Sequence, residues 1–272
     1  PRMFVMMDAY SFDKDYESMK KTYDLMHKAY MNILKKIGIN IIPTVSDNGT
    51  MGGNVSEEFQ AITNLGEDTI LYDKENNIGL NKEVLDFEDR DTYVKQFGVE
   101  DLSKFSEYSA VELGNNFQLG TKYSEAMNLC YKDENGCDKP YYMGCYGIGV
   151  GRIIAVLIEN NVIRDGDKIK GFSLPKNIAP YKIQIVYKDS KVDVATKLYN
   201  DLLDKNIGTI LDDRNGYSLG NKIKDAYVLG TPYIAIIGNK MEEGKIEIED
   251  TKTGEKMLIS IDKIANFLKE NC

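Results

Sequence analysis

The most informative stretch of this chain reads Gly144-Cys145-Tyr146-Gly147-Ile148-Gly149-Val150-Gly151-Arg152, and it runs directly into the apolar segment 153–158. Four glycines in eight residues remove the Cβ atoms from a short run of backbone, which lets a flat ligand lie against it. Arg152 adds a planar, permanently charged guanidinium, suited to phosphate oxygens, where a helix is expected to begin. Glycines also permit tight packing of a helix on a sheet, and for this stretch taken alone packing is the better explanation.

The residues before this stretch predict a mainly antiparallel sheet and one long helix. Apolar side chains recur at spacings of three and four through 13–37, which predicts a helix ending at Gly38. The strand-like runs do not alternate regularly with helices, and this favours antiparallel pairing. The predicted strands are 2–12, 39–45, 55–62, 110–120 and 141–144. Between them, 73–107 is polar and poorly patterned, with one or two short helices expected.

A second domain is expected after the link Leu174-Pro175-Lys176-Asn177-Ile178-Ala179-Pro180, because two prolines bracket a short polar segment. The pattern beyond it predicts a small α/β unit that ends in a strand pair and a helix. Its predicted strands are 181–187, 209–211 and 233–237, and its predicted helices are 192–205, 220–229 and 261–268. We therefore predict two domains, 1–174 and 175–272.

Composition narrows the class of protein. The chain has 272 residues, four cysteines and one histidine, His27. No cysteines are spaced as Cys-x-x-Cys, so we expect reduced thiols in a cytoplasmic protein rather than a zinc site. No apolar run approaches the roughly 18 residues that span a bilayer, and residues 1–4 do not resemble a signal peptide.

The net charge of −9 argues against a surface that is basic throughout. Residues 177–272 carry 14 Lys and Arg against 15 Asp and Glu, which leaves 20 against 28 in the rest of the chain. If RNA binds, the nearly neutral C-terminal part is the expected place, through a local patch.

Two more segments accompany the glycine-rich stretch. One is Val111-Glu112-Leu113-Gly114-Asn115-Asn116-Phe117-Gln118-Leu119-Gly120-Thr121-Lys122-Tyr123-Ser124-Glu125, and the other is Arg2-Met3-Phe4-Val5-Met6-Met7-Asp8-Ala9-Tyr10-Ser11-Phe12. Together the three segments resemble the bacterial-type prolyl-tRNA synthetases, which are class II aminoacyl-tRNA synthetases. The resemblance covers nearly the whole chain. It implies an α+β catalytic domain with a mainly antiparallel sheet, followed by an α/β anticodon-binding domain.

The resemblance also implies an activity, proline–tRNA ligation. ATP would activate L-proline as prolyl-adenylate, and tRNA(Pro) would then accept the prolyl group. Both steps need alignment and neutralised phosphate charge rather than a protein nucleophile, which fits a chain without a Ser–His or Cys–His pair. ATP, Mg²⁺, L-proline and tRNA(Pro) are the expected ligands, and the expected assembly is a cytoplasmic homodimer.

By the same resemblance, Arg152 contacts the terminal phosphate of ATP, Phe4 stacks on adenine, and Glu112 lies near the ATP-bound magnesium. The other residues expected along the nucleotide are Gln118, Gly120, Thr121, Gly147, Gly149 and Gly151. Without the resemblance, the alternative for Phe4 is core packing and the alternative for Glu112 is a salt bridge. Arg152 and Glu112 are the predicted catalytic residues.

Two further sites follow from the resemblance. Glu58 and Phe59 match a Glu-Phe pair in which the carboxylate meets the proline imino cation and the ring packs on the pyrrolidine. The alternative for Glu58 is a solvated charge at a strand edge. In the C-terminal domain, the expected anticodon contacts are Asp212, Asp213, Arg214 and Lys222, with the lysine on phosphate.

The chain departs from the family pattern at several positions. The family's first motif, which builds the dimer interface, should precede residue 1, so Pro1 is expected to be a truncation point. Met3, Met7, Glu57, Asn115 and Leu219 replace residues that are usual in the family. Only 74–107 lies where many members carry a large editing domain. We expect no editing in cis, which rapid deacylation of Ala-tRNA(Pro) by the purified protein would overturn.

Two other functions fit parts of this sequence. A non-catalytic paralogue that binds tRNA or an amino acid for regulation would explain the missing first motif, but it has little use for an arginine at a phosphate site. A threonine enzyme is disfavoured because one histidine and no suitable cysteine leave no zinc site. Proline-dependent ATP–pyrophosphate exchange separates the enzyme from the paralogue.

Overall fold

The helix expected from the apolar stripe is present as α1 (Tyr16–Ile37). Asp15 caps its first turn, and Gly38 ends it in the left-handed conformation at φ 91°. Met19, Tyr23, Tyr30 and Leu34 form its buried stripe. This computed structural model describes residues 4–239 and 244–272, and its chain forms two compact units, Pro1–Val156 and Leu157–Cys272.

The first unit is built on a seven-stranded sheet in the order β1-β9-β6-β3-β2-β5-β4. All its neighbours pair antiparallel except β2 and β5, and β6 also pairs with β4. The mainly antiparallel sheet that was predicted is thus confirmed. Its strands are β1 (Met6–Asp13), β2 (Ile42–Ser46), β3 (Val55–Ile62), β4 (Asp68–Asp73), β5 (Ile78–Asn81), β6 (Ser106–Gly120) and β9 (Tyr142–Gly149), and a hairpin of β7 (Cys130–Lys132) and β8 (Asp138–Pro140) stands beside it.

The glycine-rich stretch is mostly a strand. The sequence placed the strand end at Gly144, whereas β9 continues to Gly149 and α4 (Val150–Asn160) begins only then. Glycine is needed here for close strand approach, because a Cβ on Gly114 of β6 would lie 2.6 Å from the carbonyl oxygen of Gly147. The close packing of β6 on β9 therefore involves this stretch.

The segment 74–107 has a small core of its own. After β5 it forms a 3₁₀ turn (Lys82–Asp86), α2 (Arg90–Lys95) and a second 3₁₀ turn (Leu102–Lys104). Val84, Tyr93 and Val94 are buried there with partly buried phenylalanines around them. After β6, the short α3 (Lys122–Ala126) leads to the β7–β8 hairpin.

The second unit has a five-stranded sheet in the order β13-β12-β14-β15-β16, in which β12 runs parallel to both β13 and β14. The α/β unit predicted for this part of the chain is confirmed. A hairpin that the sequence did not predict, β10 (Val162–Asp165) and β11 (Lys168–Phe172), also belongs to this unit, which therefore begins upstream of the link at 174–180. The remaining elements are β12 (Ile183–Tyr187), α5 (Val192–Leu203), β13 (Thr209–Leu211), α6 (Leu219–Leu229), β14 (Tyr233–Ile237), β15 (Lys245–Asp250), β16 (Lys256–Ser260) and α7 (Ile264–Asn271).

Within the described parts of the chain, no helix combines the length and the apolar character that a membrane crossing requires.

Candidate active site

The two faces of the first sheet have different roles. Side chains alternate between the faces of a strand, so neighbours along β3 point in opposite directions. Glu57 accepts a 2.7 Å hydrogen bond from Nδ1 of His27 on α1, and the ring of Phe59 lies 5.5 Å from that of Tyr30. Glu58, between them, therefore points to the face away from α1. The candidate site lies on that face.

Arg152 is held by two groups in this site. Its Nη1 donates to the carbonyl oxygen of Glu112 at 2.9 Å and to Oε2 of the same residue at 2.7 Å. Its guanidinium carbon lies 5.2 Å from the centre of the Phe4 ring. Since its side chain is still 28% exposed, the guanidinium is accessible to an incoming anion. The salt bridge considered as the alternative for Glu112 is thus present in this structure.

Glycines at the end of β9 and the start of α4 let the side chains of this cluster pack directly on the backbone. Gly147 and Gly149 are buried. A Cβ on Gly149 would touch Cδ of Arg152 and Cε2 of Phe4, both at 3.4 Å, and a Cβ on Gly147 would lie 3.0 Å from Cε of Met6. Gly151 faces Phe4 as well, at 3.7 Å. An aromatic ring and a guanidinium are groups suited to the base and the phosphates of a nucleotide.

Glu58 is a buried carboxyl, only 9% exposed, so it is not a solvated strand-edge charge. Its Oε2 accepts from Nε2 of Gln60 at 2.8 Å and from Nδ2 of Asn81 at 3.2 Å. Burial, with a smaller contribution from the nearby Glu112 and Asp68 carboxylates, raises the pKa of Glu58 to about 7, although these two hydrogen bonds act to lower it. A group that changes charge near neutrality is well suited to hold a cationic ligand.

Phe59 and Gln118 are not brought to this face. Phe59 is fully buried beneath α1 between His27 and Tyr30, at ring distances of 5.7 and 5.5 Å. Gln118 is 5% exposed, and its Oε1 accepts from the hydroxyl of Tyr16 at the start of α1. The predicted contacts of Phe59 with proline and of Gln118 with ATP do not fit these positions, because the pleat of each strand turns these side chains away from Glu58.

Gly120 and Thr121 end β6. Gly120 has φ +61° with open space around it, and Thr121 precedes α3 without capping it through its side chain. The next residue, Lys122, donates to the carbonyl oxygens of Thr50 and Met51 at 3.2 and 2.9 Å, which ties the glycine-rich loop 47–54 to this end of β6.

The positions that depart from the family pattern divide between the two faces. Glu57 pairs with His27 beneath α1, while Asn115 accepts from the hydroxyl of Ser56 at 3.3 Å. Met7 is exposed on β1, and Met3 lies outside the described residues. Within residues 4–239 and 244–272, no group of three or more His, Cys, Asp or Glu side chains is arranged to hold a metal ion. The magnesium contact predicted for Glu112 stays a prediction.

The predicted anticodon residues have unequal exposure. Lys222 is fully buried, donates to the carbonyl oxygen of Asp212 at 3.0 Å and lies 4.5 Å from the centre of the Tyr187 ring. It cannot contact a phosphate without leaving the core, so the phosphate role predicted for it does not fit. Asp212 is 6% exposed and accepts from Nε and Nη2 of Arg214. Only Asp213 and Arg214 present their side chains to solvent.

Sequence reasoning missed Gln60, Asn81 and Asp68. Gln60 Nε2 also donates to Oδ2 of Asp68 at 3.0 Å, and Asn81 accepts from the amide of Glu83 at 3.3 Å. The polar residues Ser56, Glu58 and Gln60 recur at every second position, a pattern that marks one face of a strand. No sequence pattern marked Asn81 and Asp68, because it is strand pairing that brings them close to Glu58 from β5 and β4.

Both parts of the chain match the family models of known proteins. The family model for the tRNA synthetase class II core domain (G, H, P, S and T) matches residues 1–161, and the model for the anticodon binding domain matches residues 178–271. Among curated relatives are the proline–tRNA ligases of Rickettsia typhi, Rickettsia bellii and Ehrlichia chaffeensis, with 37%, 38% and 36% identity over 98%, 97% and 99% of this chain. The chain spans 64%, 62% and 64% of those proteins, which is less than two thirds of their length.

Proposed function

The chain belongs to the class II tRNA synthetases, and on that premise we propose that it carries the ATP site, the amino-acid pocket and the anticodon-binding domain of a proline–tRNA ligase. The observation that carries this proposal is the cluster of Arg152, Phe4 and Glu112 beside the bare backbone of β9. A core domain and an anticodon domain in this order, together with relatives of that name, support it.

In the first step, a carboxylate oxygen of proline attacks the α-phosphorus of ATP and pyrophosphate leaves. Arg152 already holds an anion through Nη1, and the terminal phosphate would take the place of the Glu112 carboxylate. Adenine would then stack on the Phe4 ring that the guanidinium now covers. Once released from Arg152, Glu112 would be available as a hard oxygen ligand. Mg²⁺ supplies neutralisation of phosphate charge and alignment of the phosphates when bound.

Glu58 would hold the imino cation of proline on the same face of the sheet. Its burial makes an unpaired negative charge unfavourable, so a cationic ligand stabilises the ionised carboxylate. In the second step, a ribose hydroxyl of tRNA(Pro) attacks the carbonyl carbon of the adenylate, and AMP leaves. Asp213 and Arg214 would contact the anticodon from the second unit. We also propose that the protein acts in the cytoplasm as a homodimer.

The experiment that tests this function is proline-dependent ATP–pyrophosphate exchange by the intact protein. We expect Arg152→Ala to lower kcat/KM for ATP on the order of 10²-fold while the fold persists, because a cation at the phosphates is lost. The matched control is Arg90→Ala, which removes an exposed arginine paired with Asp91 in the same unit. An Arg152→Ala enzyme with unchanged ATP kinetics refutes the role of Arg152. Tight tRNA binding by the wild type without exchange refutes the enzyme itself and favours a non-catalytic tRNA-binding protein.

A further inference from the structure

The amino-acid pocket contains an amide that joins two carboxylates. Gln60 Nε2 donates to Oε2 of Glu58 at 2.8 Å and to Oδ2 of Asp68 at 3.0 Å. Two carboxylate oxygens thus lie within 3.0 Å of one nitrogen, although like charges repel. The Gln60 side chain is fully buried, so this bridge is shielded from solvent.

The second amide in the pocket holds the same oxygen of Glu58. Asn81 Nδ2 donates to Oε2 at 3.2 Å, while its own Oδ1 caps the 3₁₀ turn that follows β5 by accepting from Glu83 N. Because Oε2 takes both donors, Oε1 has no hydrogen bond from the described residues, and neither does Oδ1 of Asp68. Each carboxylate therefore keeps one oxygen available for a ligand.

We infer that Gln60 is a positioning residue of the amino-acid pocket, which orients Glu58 and Asp68 so that their two available oxygens accept the two N–H groups of a secondary ammonium. This inference rests on the proposed function and deepens it. Proline carries a secondary ammonium with two donors, whereas alanine carries a primary ammonium with three. The two carboxylate oxygens match the two donors of proline, whereas the third donor of alanine would require a further acceptor, which disfavours alanine in addition to the smaller size of its side chain.

Gln60 also connects this pocket to the cluster of Arg152, Phe4 and Glu112. Its Cα is the direct partner of Glu112 across the β3–β6 pair, at an irregularity in register after Phe59. The charged groups facing Glu58 are thus Asp68 from β4 and Glu112 from β6, and the neutral donors are Gln60 and Asn81. If the Gln60 amide is lost, the repulsion between the carboxylates of Glu58 and Asp68 is no longer offset by a shared hydrogen-bond donor.

The test compares Gln60→Glu and Asp68→Asn with wild type and with Glu67→Gln, a matched loss of one charge at an exposed neighbour. KM and kcat for proline and for alanine are measured by pyrophosphate exchange from pH 6 to 9, and proline binding is measured by calorimetry.

We expect Gln60→Glu to raise KM for proline about tenfold with a smaller change in kcat. It should also shift to higher pH the point at which proline binding becomes stronger. Asp68→Asn should move that pH downward, because one repelling charge is gone, and should narrow the preference for proline over alanine. Glu67→Gln should match wild type.

A purely structural role for Gln60 predicts a different result, namely loss of folded protein and of kcat without opposite pH shifts. Equal or absent shifts in Gln60→Glu and Asp68→Asn, with a wild type that exchanges pyrophosphate in the presence of proline, overturn the inference and leave the proposed function standing. A wild type that neither binds proline nor exchanges pyrophosphate overturns both.

Discussion

The buried carboxyl of Glu58 is energetically unfavourable for the fold. Its carboxyl is 9% exposed, and the amide donors of Gln60 and Asn81 only partly offset the loss of hydration, since the pKa still rises to about 7. Because the unfolded carboxyl titrates near 4.5, the unfolded chain gives up this proton at a lower pH than the folded one. The stability that the protonated group provides is complete below pH 4.5 and is lost as the pH rises through about 7.

Glu58→Gln should therefore make the protein more stable above neutral pH, by roughly 1–3 kcal/mol at pH 8, and change little at pH 5. The amide keeps one oxygen for the two donors that meet at Oε2. Urea unfolding at the two pH values measures the difference, and pyrophosphate exchange should show that KM for proline has risen.

The control for this variant is the neighbouring substitution Glu57→Gln on the opposite face of β3. Glu57 hydrogen-bonds His27 and thereby raises the pKa of the imidazole, so this interaction stabilises the fold most at low pH. Glu57→Gln should lower stability near pH 6 and gain nothing at pH 8. A Glu58→Gln protein that is no more stable at pH 8 than at pH 5, relative to wild type, contradicts the buried-charge explanation.

At this scale, adjacency in sequence was a poor guide. Arg152, Glu112 and Phe4 come from three separate segments that the family resemblance grouped, and the structure brings them into one cluster. Glu58 and Phe59 are adjacent in sequence and yet lie on opposite faces. The burial of Lys222 could not be predicted from the sequence, because a lysine in a helix is normally solvated and this one is fully buried.

At the scale of elements, β6 and β9 carry two kinds of glycine. Some allow neighbouring strands to approach, and others leave room for side chains that pack on the face of the proposed site. Gly114 on β6 is of the first kind, because its Cβ would meet the backbone oxygen of Gly147, which cannot move without disturbing the strand pair. Gly147 is of the second kind, because its Cβ would meet the end of the flexible Met6 side chain.

These two glycines therefore predict contrasting effects of the same substitution. Gly114→Ala should lower the free energy of unfolding by more than about 2 kcal/mol, through a clash at 2.6 Å with backbone. Gly147→Ala should fold with little loss, but it should raise KM for ATP because a methyl group then stands on the nucleotide surface. Thermal unfolding and ATP kinetics measure the two effects. Equal stability of both variants, or normal ATP use by Gly147→Ala, would falsify this division.

Periodicity predicted α1, β3, β13 and β14 closely because each buries a regular stripe or a short apolar run. It failed at β9, where the strand was expected to end at Gly144 and long-range pairing with β1 and β6 extends it to Gly149. It also missed β4 and the β10–β11 hairpin, whose registers depend on partners far along the chain or on a short turn at Gly166.

At the scale of the whole chain, charge is distributed unevenly. The net charge is −9, yet residues 177–272 are nearly neutral, with 14 basic and 15 acidic side chains. This segment has no excess of basic side chains, so the proposed RNA binding would depend on individual exposed groups. Arg214 is one such exposed group, and neighbouring side chains orient it. Asp212 and Asp225 hold its guanidinium, which lies 4.6 Å from the centre of the Tyr217 ring.

The predicted anticodon residues can thus be separated by experiment. The hydrogen bond from Arg214 lowers the pKa of Asp212, which keeps that carboxylate ionised and the arginine oriented. Arg214→Gln should weaken binding of tRNA(Pro) on the order of tenfold and reduce its salt dependence, with the second unit still folded. Arg214→Lys should recover only part of the affinity, because it keeps the charge but loses the planar fork that contacts both carboxylates.

Lys222→Met tests whether the predicted lysine contact with phosphate exists, and it is compared with the two Arg214 variants. Its ammonium donates to the carbonyl oxygen of Asp212 from a fully buried position, so the substitution should lower the stability of the second unit by about 1–3 kcal/mol. Fluorescence anisotropy with labelled tRNA(Pro) at two salt concentrations, alongside thermal unfolding, distinguishes the roles. If Lys222→Met unfolds like wild type but loses tRNA affinity with a reduced salt slope, the lysine does reach phosphate and must leave the core to do so. If it is destabilised and yet binds tRNA with the wild-type salt slope whenever it is folded, its role is to anchor the loop that presents Arg214.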